Sequence, residues 1–452
     1  GRERAEAERR RQEEEERARK ELEEQERQVR EKLERRRARL GLEGQRMAAS
    51  RCDAEFAKPV PKWQTISVEQ VMANHAKSAP GMFYGIEFPW TEQMLIDLGP
   101  RWLTRAFHAA RTLEPENEVT KIIPEPSVKV TTGNNGAKFL FEVEYKYPRE
   151  DLHTRLFAKV PHPMDAKYKT DRLSTSVNKQ PMEFEELNTS RLLEATLPVK
   201  IPKYYFADIS NETSNFILIV EQVAFSDRIG SLDFGKPKEK ERAPLEPYEV
   251  EGPYDKCIDW TLRGEASEYY YMLVRVGGKM AGLYKAGKMG DAAVLAEHFE
   301  NWMHRPLEHW GMHAEYCTGK PPKMLKIELK MACDFVRDVA KPLFPAYVQT
   351  PAFQEKFNKT MHLLNAYFAE SVFWRNRDPD YIALCHNNLN VDNAFFWRDE
   401  EGKLDVGIFD WGHMSAKSLG YKLWPWLYCG DHETLTAHID GYIDCLISTY
   451  QE

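Results

Sequence analysis

Residues 385–393 read Cys385-His386-Asn387-Asn388-Leu389-Asn390-Val391-Asp392-Asn393, and a short way on comes Ile408-Phe409-Asp410-Trp411-Gly412. The flanks, Tyr381-Ile382-Ala383-Leu384 before and Ala394-Phe395-Phe396-Trp397 after, are apolar and β-rich, so the polar stretch reads as a loop between strands. Such a loop sets Asn393 beside the next strand, residues 406–409, at whose end Asp410 stands. An amide oxygen from Asn393 and a carboxylate from Asp410 are hard donors suited to magnesium bridging a nucleotide's phosphates. The bland alternative is an Asn-rich hairpin with a capping Asp, but it must also account for the features upstream. Asn388 divides the question of function. Its amide can hold a substrate hydroxyl, yet it cannot take that hydroxyl's proton near neutral pH.

Four features precede the loop in a fixed order. Gly133-Asn134-Asn135-Gly136 joins two β-rich runs, residues 128–132 and 137–147. Its backbone N–H groups can approach phosphate oxygens, although an ordinary hairpin turn looks the same. The second run alternates Phe139, Phe141, Val143 and Tyr145 against Lys138, Leu140, Glu142 and Glu144, as a half-buried strand does. Lys159 then sits as a lone cation in Leu156-Phe157-Ala158-Lys159-Val160, either facing a site or snorkelling from an edge. A helix over residues 181–195 carries Glu186, with Glu183 about one turn away, as an acid to pair with Lys159. Residues 216–223 form an apolar strand running into Glu221-Gln222-Val223, a connection able to offer main-chain hydrogen bonds to an adenine, or a plain core strand.

Taken together, these residues resemble the aminoglycoside phosphotransferase and choline kinase group of the protein-kinase-like superfamily, and above all its ecdysteroid-kinase-like (CHK kinase-like) branch. Leu384 to Asn393 stands where that group has His-Gly-Asp-x-x-x-x-Asn, and Phe409-Asp410-Trp411 where it has Asp-Trp. The resemblance covers the chain from about Thr91 onward. It implies an α+β, two-lobed kinase-like fold using ATP and Mg2+. The long interval between Glu221 and His386 fits the group's helical insertion, which builds a small-molecule site, so the implied acceptor is a small-molecule hydroxyl. By position, Lys159 would contact phosphate, Asn393 and Asp410 would hold the metal, and His386 would brace the loop. Two departures stand out: Asn388 replaces the catalytic base, and Gly420-Tyr421-Lys422-Leu423 lacks an Asp that many members carry. Loss of a general base costs about 10² to 10⁴-fold. Against kinase turnover of about 1 to 100 s⁻¹, this leaves roughly 10⁻⁴ to 1 s⁻¹. Asp392, in the same loop, is the substitute carboxylate to consider. The alternative is a pseudokinase, a nucleotide-binding or scaffolding module within a larger assembly.

The remainder of the chain sets the context. Its 452 residues allow two lobes plus an appendage, and a 42% hydrophobic fraction with 12% aromatics is that of a globular protein. A net charge of −8 speaks against a nucleic-acid surface. Seven cysteines without a Cys-x-x-Cys pair point to a reducing, cytoplasmic setting. The most apolar stretch, residues 216–220, is too short to cross a bilayer, so no membrane partner is expected. Residues 1–45 are nearly all Glu, Arg, Lys, Gln and Ala with Glu-to-basic spacings of four. They form a single charged helix or, through Leu22, Val29, Leu33 and Leu40, a weak coiled coil able to bind a protein partner. The expected division is a linker at 46–90, a first lobe at 91–224 and a helical second lobe at 225–452, with Trp302, Leu307, Trp310, Phe335 and Phe344 in its core. Starting at Gly1 and stopping within an amphipathic pattern at Tyr450-Gln451-Glu452, the chain reads as part of a longer polypeptide.

Overall fold

The computed structural model describes residues 2–124, 135–226, 244–299, 320–412 and 414–452. The charged N-terminal segment is one helix, α1 (Arg2–Leu40). Pairs such as Lys20–Glu16 (2.7 Å) and Arg27–Glu31 (2.8 Å) line its exposed surface, each worth about 0.2–0.5 kcal/mol. Its C-terminal end docks on the rest of the chain. Lys32 and Arg36 reach Glu246 at 3.0 and 2.8 Å, Arg39 reaches Glu221 at 2.8 Å, and Leu40 is buried with Val250, Phe395 and Trp397.

Two short helices follow, α2 (Glu43–Arg46) and α3 (Ala49–Phe56). Gln45 is buried and donates to the carbonyls of Leu197 (3.2 Å) and Val199 (2.9 Å). Next come α4 (Val68–Asn74) and a strap across the first sheet. Asp208 anchors that strap by accepting from the N–H groups of Phe83 (2.9 Å) and Tyr84 (3.2 Å). Gly81 is obligatory there, because a Cβ would lie 1.9 Å from the Asp208 carboxyl carbon. Helix α5 (Glu92–Ala109) is kinked at Gly99 (φ 69°) ahead of Pro100, so it runs as two helical segments.

The first lobe is built on a five-stranded antiparallel sheet in the order β1-β2-β3-β5-β4. Its strands are β1 (Val119–Pro124), β2 (Ala137–Tyr145), β3 (Arg155–Val160), β4 (Tyr204–Ile209) and β5 (Phe216–Glu221). The strand β1 replaces the expected run at 128–132 as the described partner of β2, with Pro124 opposite Phe141. The run itself, with Gly133 and Asn134, lies outside the described residues. Between β3 and β4 come α6 (Lys169–Leu173) and α7 (Met182–Leu193), the latter buried along its whole length. One face of the sheet buries Phe139, Phe141, Leu156 and Ala158 against α5 and the strap.

The second lobe is mainly helical around α8 (Ala266–Lys285) and the helix His432–Gln451, with α9 (Ala292–His298) beside them. Two small ribbons complete it: β6 (Ile382–Cys385) with β9 (Ser415–Ser418), and β7 (Ala394–Arg398) with β8 (Leu404–Ile408). The α+β architecture expected from the sequence is therefore present, as an antiparallel sheet joined to a mainly helical remainder. The core assignment needs correcting. Phe335 and Phe344 are 49% and 37% exposed, stacked edge to face at 6.4 Å, because they lie on short turns after the helix Pro322–Asp334. Trp302, Leu307 and Trp310 lie outside the described residues.

Candidate functional site

The site lies between the sheet and the β7–β8 ribbon. Lys159 is only 3% exposed, and its ammonium meets three oxygens: both of Glu186 (2.8 and 2.7 Å) and one of Asp410 (3.0 Å). Three donors meet three acceptors, which removes the cost of burying the charge alone. Helix α7 therefore offers Glu186, not Glu183, to Lys159. Glu183 is buried a turn away, where burial pushes its carboxyl up to about 7 and one oxygen finds no partner among the described residues. Burial also works against ionisation of Asp410, but Lys159 overcomes it and holds that carboxyl down at about 2. Asp410 has φ +57°, in the left-handed region that Asp tolerates better than most residues. Strain of this kind is held in place where the surroundings fix it.

The loop after β6 is braced from behind. His386 is fully buried, and burial lowers its imidazole to about 4, so the ring is neutral at pH 7. Its Nε2 donates to the carbonyls of Asp410 (3.0 Å) and Phe409 (3.3 Å), while Nδ1 accepts from Asn388 N–H (3.1 Å). Trp426 Nε1 donates to the His386 carbonyl (2.9 Å). At the position where the Asp is lacking, Lys422 is buried and donates to the Ser415 carbonyl (3.0 Å); burial pushes its ammonium down to about 7. Neither brace is announced by the sequence, because a Trp and a Lys in a helix have no fixed role.

The loop is an amide network. Asn388 Oδ1 accepts from Asn390 Nδ2 (3.0 Å), and the Asn388 carbonyl accepts from Asn393 Nδ2 (2.7 Å). Asn393 thus keeps its Oδ1 as an acceptor, and its own carbonyl takes the N–H of Phe409 (3.1 Å), next to Asp410. Asp392 turns to Lys256, at 3.2 Å. Its carboxylate is neutralised by an ammonium, so Asp392 is poorly suited to the substitute-base role.

Of the remaining expected contacts, Asn135 accepts from Lys179 Nζ (3.0 Å). Gly136 has φ +92°, and a Cβ there would lie 2.5 Å from the Val160 carbonyl. Glu221 pairs with Leu156 across the strands, three positions from Lys159, so its side chain leaves the opposite face of the sheet. There it meets Arg39, His153 at 3.3 Å and Lys200 at 3.6 Å, and its N–H is already bonded to Lys203 O. The Gln222 carbonyl accepts from Arg39 (3.2 Å). A cavity of about 350 Å³ lies here, lined by Arg36, Arg39, Lys200, Glu221, Val223 and Phe395. Lys138 is a residue that sequence reading missed. It stands directly opposite Lys159 in the β2–β3 register, half-buried on the same face.

Among the described residues no cluster of three or more His, Cys, Asp or Glu could hold a metal. Asn393 and Asp410 supply two hard oxygen donors, which fits a magnesium ion completed by phosphate oxygens and water rather than a protein-only cage. No described helix is long and apolar enough to cross a membrane.

No family model matches the chain, and no curated protein matches it either. Among solved structures it is similar to the GDP and kanamycin complex of APH(2")-IIia, at 14% identity over 75% of this chain and 84% of that one, with a TM-score of 0.30. It is likewise similar to the GDP complex of wild-type aminoglycoside 2'-phosphotransferase-IIIa, at the same identity and coverage, with a TM-score of 0.27. Superpositions this loose decide nothing about this chain's chemistry.

Proposed function

We propose that the protein binds a nucleoside triphosphate with magnesium and carries phosphotransferase-type machinery directed at a small-molecule hydroxyl, with an amide at the position of the base. The observation that carries this is Lys159 joined at once to Glu186 and Asp410. A buried ammonium shared by acids from two lobes is costly as mere packing, because ion pairs of this kind are often replaceable by apolar residues without loss. It makes sense as phosphate-binding machinery. Lys159 and Glu186 would orient the phosphate chain, and Asn393 and Asp410 would hold the magnesium, which supplies charge neutralisation at the phosphates. His386 fixes the backbone at Asp410 and at Asn388. Asn388 would hold the acceptor hydroxyl by hydrogen bonding alone.

The test is a thermal shift. ATP with magnesium should stabilise the wild-type chain, as a ligand at 100 times its Kd adds about 2.7 kcal/mol. The shift should vanish in Lys159→Ala and without magnesium. An unchanged shift in that variant would rule the site out. A second reading, the pseudokinase, is favoured by one observation: Asn388 sits in a closed amide network and the nearby Asp392 is committed to Lys256. Steady γ-phosphate turnover that disappears in Asp410→Ala would count against it.

A further inference from the structure

Across the β2–β3 pair, Lys138 lies directly opposite Lys159, and opposed residues in an antiparallel pair project from the same face. Two ammonium groups thus rise side by side toward Glu186 and Asp410. Like charges directly opposite each other weaken a sheet, and the carboxylates of Asp410 and Glu186 act on Lys138 as well as on Lys159. We infer that Lys138 is a second phosphate-contacting cation of this site, placed to bind a chain of two or more phosphates together with Lys159. This rests on the nucleotide-binding proposal above and extends it to the chemistry recognised.

Three observations support it. Lys159 meets its three acceptors at 2.7–3.0 Å, so its ammonium is saturated by protein oxygens in this arrangement. A single such cation matches one phosphate group, whereas a polyphosphate chain carries three or four negative charges. Secondly, Lys138 follows Gly136 by two residues. The tight approach of that glycine to the Val160 carbonyl fixes where β2 begins relative to β3, and with it where Lys138 projects. Thirdly, burial and then the neighbouring Lys159 push the Lys138 ammonium down to about 8, while Asp410 and Glu186 pull the other way. It therefore belongs electrostatically to the same cluster. A charged face turned to solvent, the meaning the alternating pattern suggests, would leave Lys138 outside that cluster.

The test measures binding of ATP, ADP, AMP, adenosine and inorganic tripolyphosphate to the full chain by titration calorimetry, for wild type, Lys138→Met and Lys138→Arg. Affinity in wild type should climb with phosphate number. Lys138→Met should lose about tenfold or more for ATP and tripolyphosphate, as expected for a charge-assisted contact, and little for adenosine. Lys138→Arg should recover most of the loss, and circular dichroism should match throughout. If wild type binds ATP and Lys138→Met binds it equally well, the inference falls while nucleotide binding stands. An equal loss for adenosine and ATP would mark Lys138 as structural and overturn it too. If wild type binds no nucleotide, both proposals fall.

Discussion

The two sides of the candidate site are made of different chemistry. Around Lys159 the polar groups are an ammonium matched to two acids at 2.7–3.0 Å, with burial pushing the Glu186 carboxyl up. Across from them, residues 386–393 offer a neutral imidazole and a set of amides that bond chiefly to one another. The first wall has what is needed to grip and neutralise phosphate. The second has what is needed to hold a shape, and its one carboxylate, Asp392, is turned to Lys256. Phosphoryl transfer depends mainly on positioning and charge, so a protein can keep the first wall intact while the second is reduced to support.

That contrast can be broken most forcefully at Asn388. Asn388→Asp restores a carboxylate at a half-buried position of a loop already braced by His386, and transfer to alcohol acceptors should rise about 10² to 10⁴-fold over wild type. An assay of γ-phosphate transfer across an alcohol panel would detect it; no gain would mean that the loop does not present residue 388 to a substrate. On the charged wall, Lys159→Met leaves the buried Glu186 and the half-buried Asp410 without their cation. Unfolding in urea should show a loss of about 3–5 kcal/mol, together with loss of the ATP and magnesium shift.

A third experiment probes the support behind the amide wall. Burial lowers the Lys422 ammonium from 10.5 to about 7. Between those values the unfolded chain holds the proton and the folded chain does not, so stability should rise with pH from 7 toward 10; below 7 the full penalty persists. Lys422→Met should flatten that slope, a difference of roughly 2 kcal/mol between pH 7 and 9. The smallest effect is expected at Arg39. In Arg39→Ala, Glu221 keeps His153, Lys200 and the Lys203 N–H, so stability should fall by under about 1 kcal/mol, read as a small drop in urea midpoint.

Local motifs were legible; parity and depth were not. Lys159, Asn393 and Asp410 could be picked out because each stands in a short pattern whose spacing alone limits the geometry. Glu183 and Glu186 could not be separated, since three residues of helix leave both on nearly the same side. Lys138 was misjudged for a different reason. Alternation says which residues share a face, but not which face is covered, and here both faces of β2 are packed. The strand β1 escaped notice because Val119-Thr-Lys-Ile-Ile-Pro124 is short and ends in proline. Arg51, Glu55, Arg191 and Glu194 stand in no short pattern, yet they are buried.

Those four residues place the orientation of Glu186 under distant tenure. Arg51 pairs with Glu194, and Glu55 with Arg191 at 2.7 Å, so α3 grips the C-terminal half of the helix whose N-terminal half faces Lys159. The lease is held by a segment that precedes the first lobe altogether. A shortened chain beginning at the strap would keep every residue that lines the candidate site and still leave Arg191 and Glu194 with stranded charges inside the protein. The proposed nucleotide site would be lost through a helix that no longer had a seat.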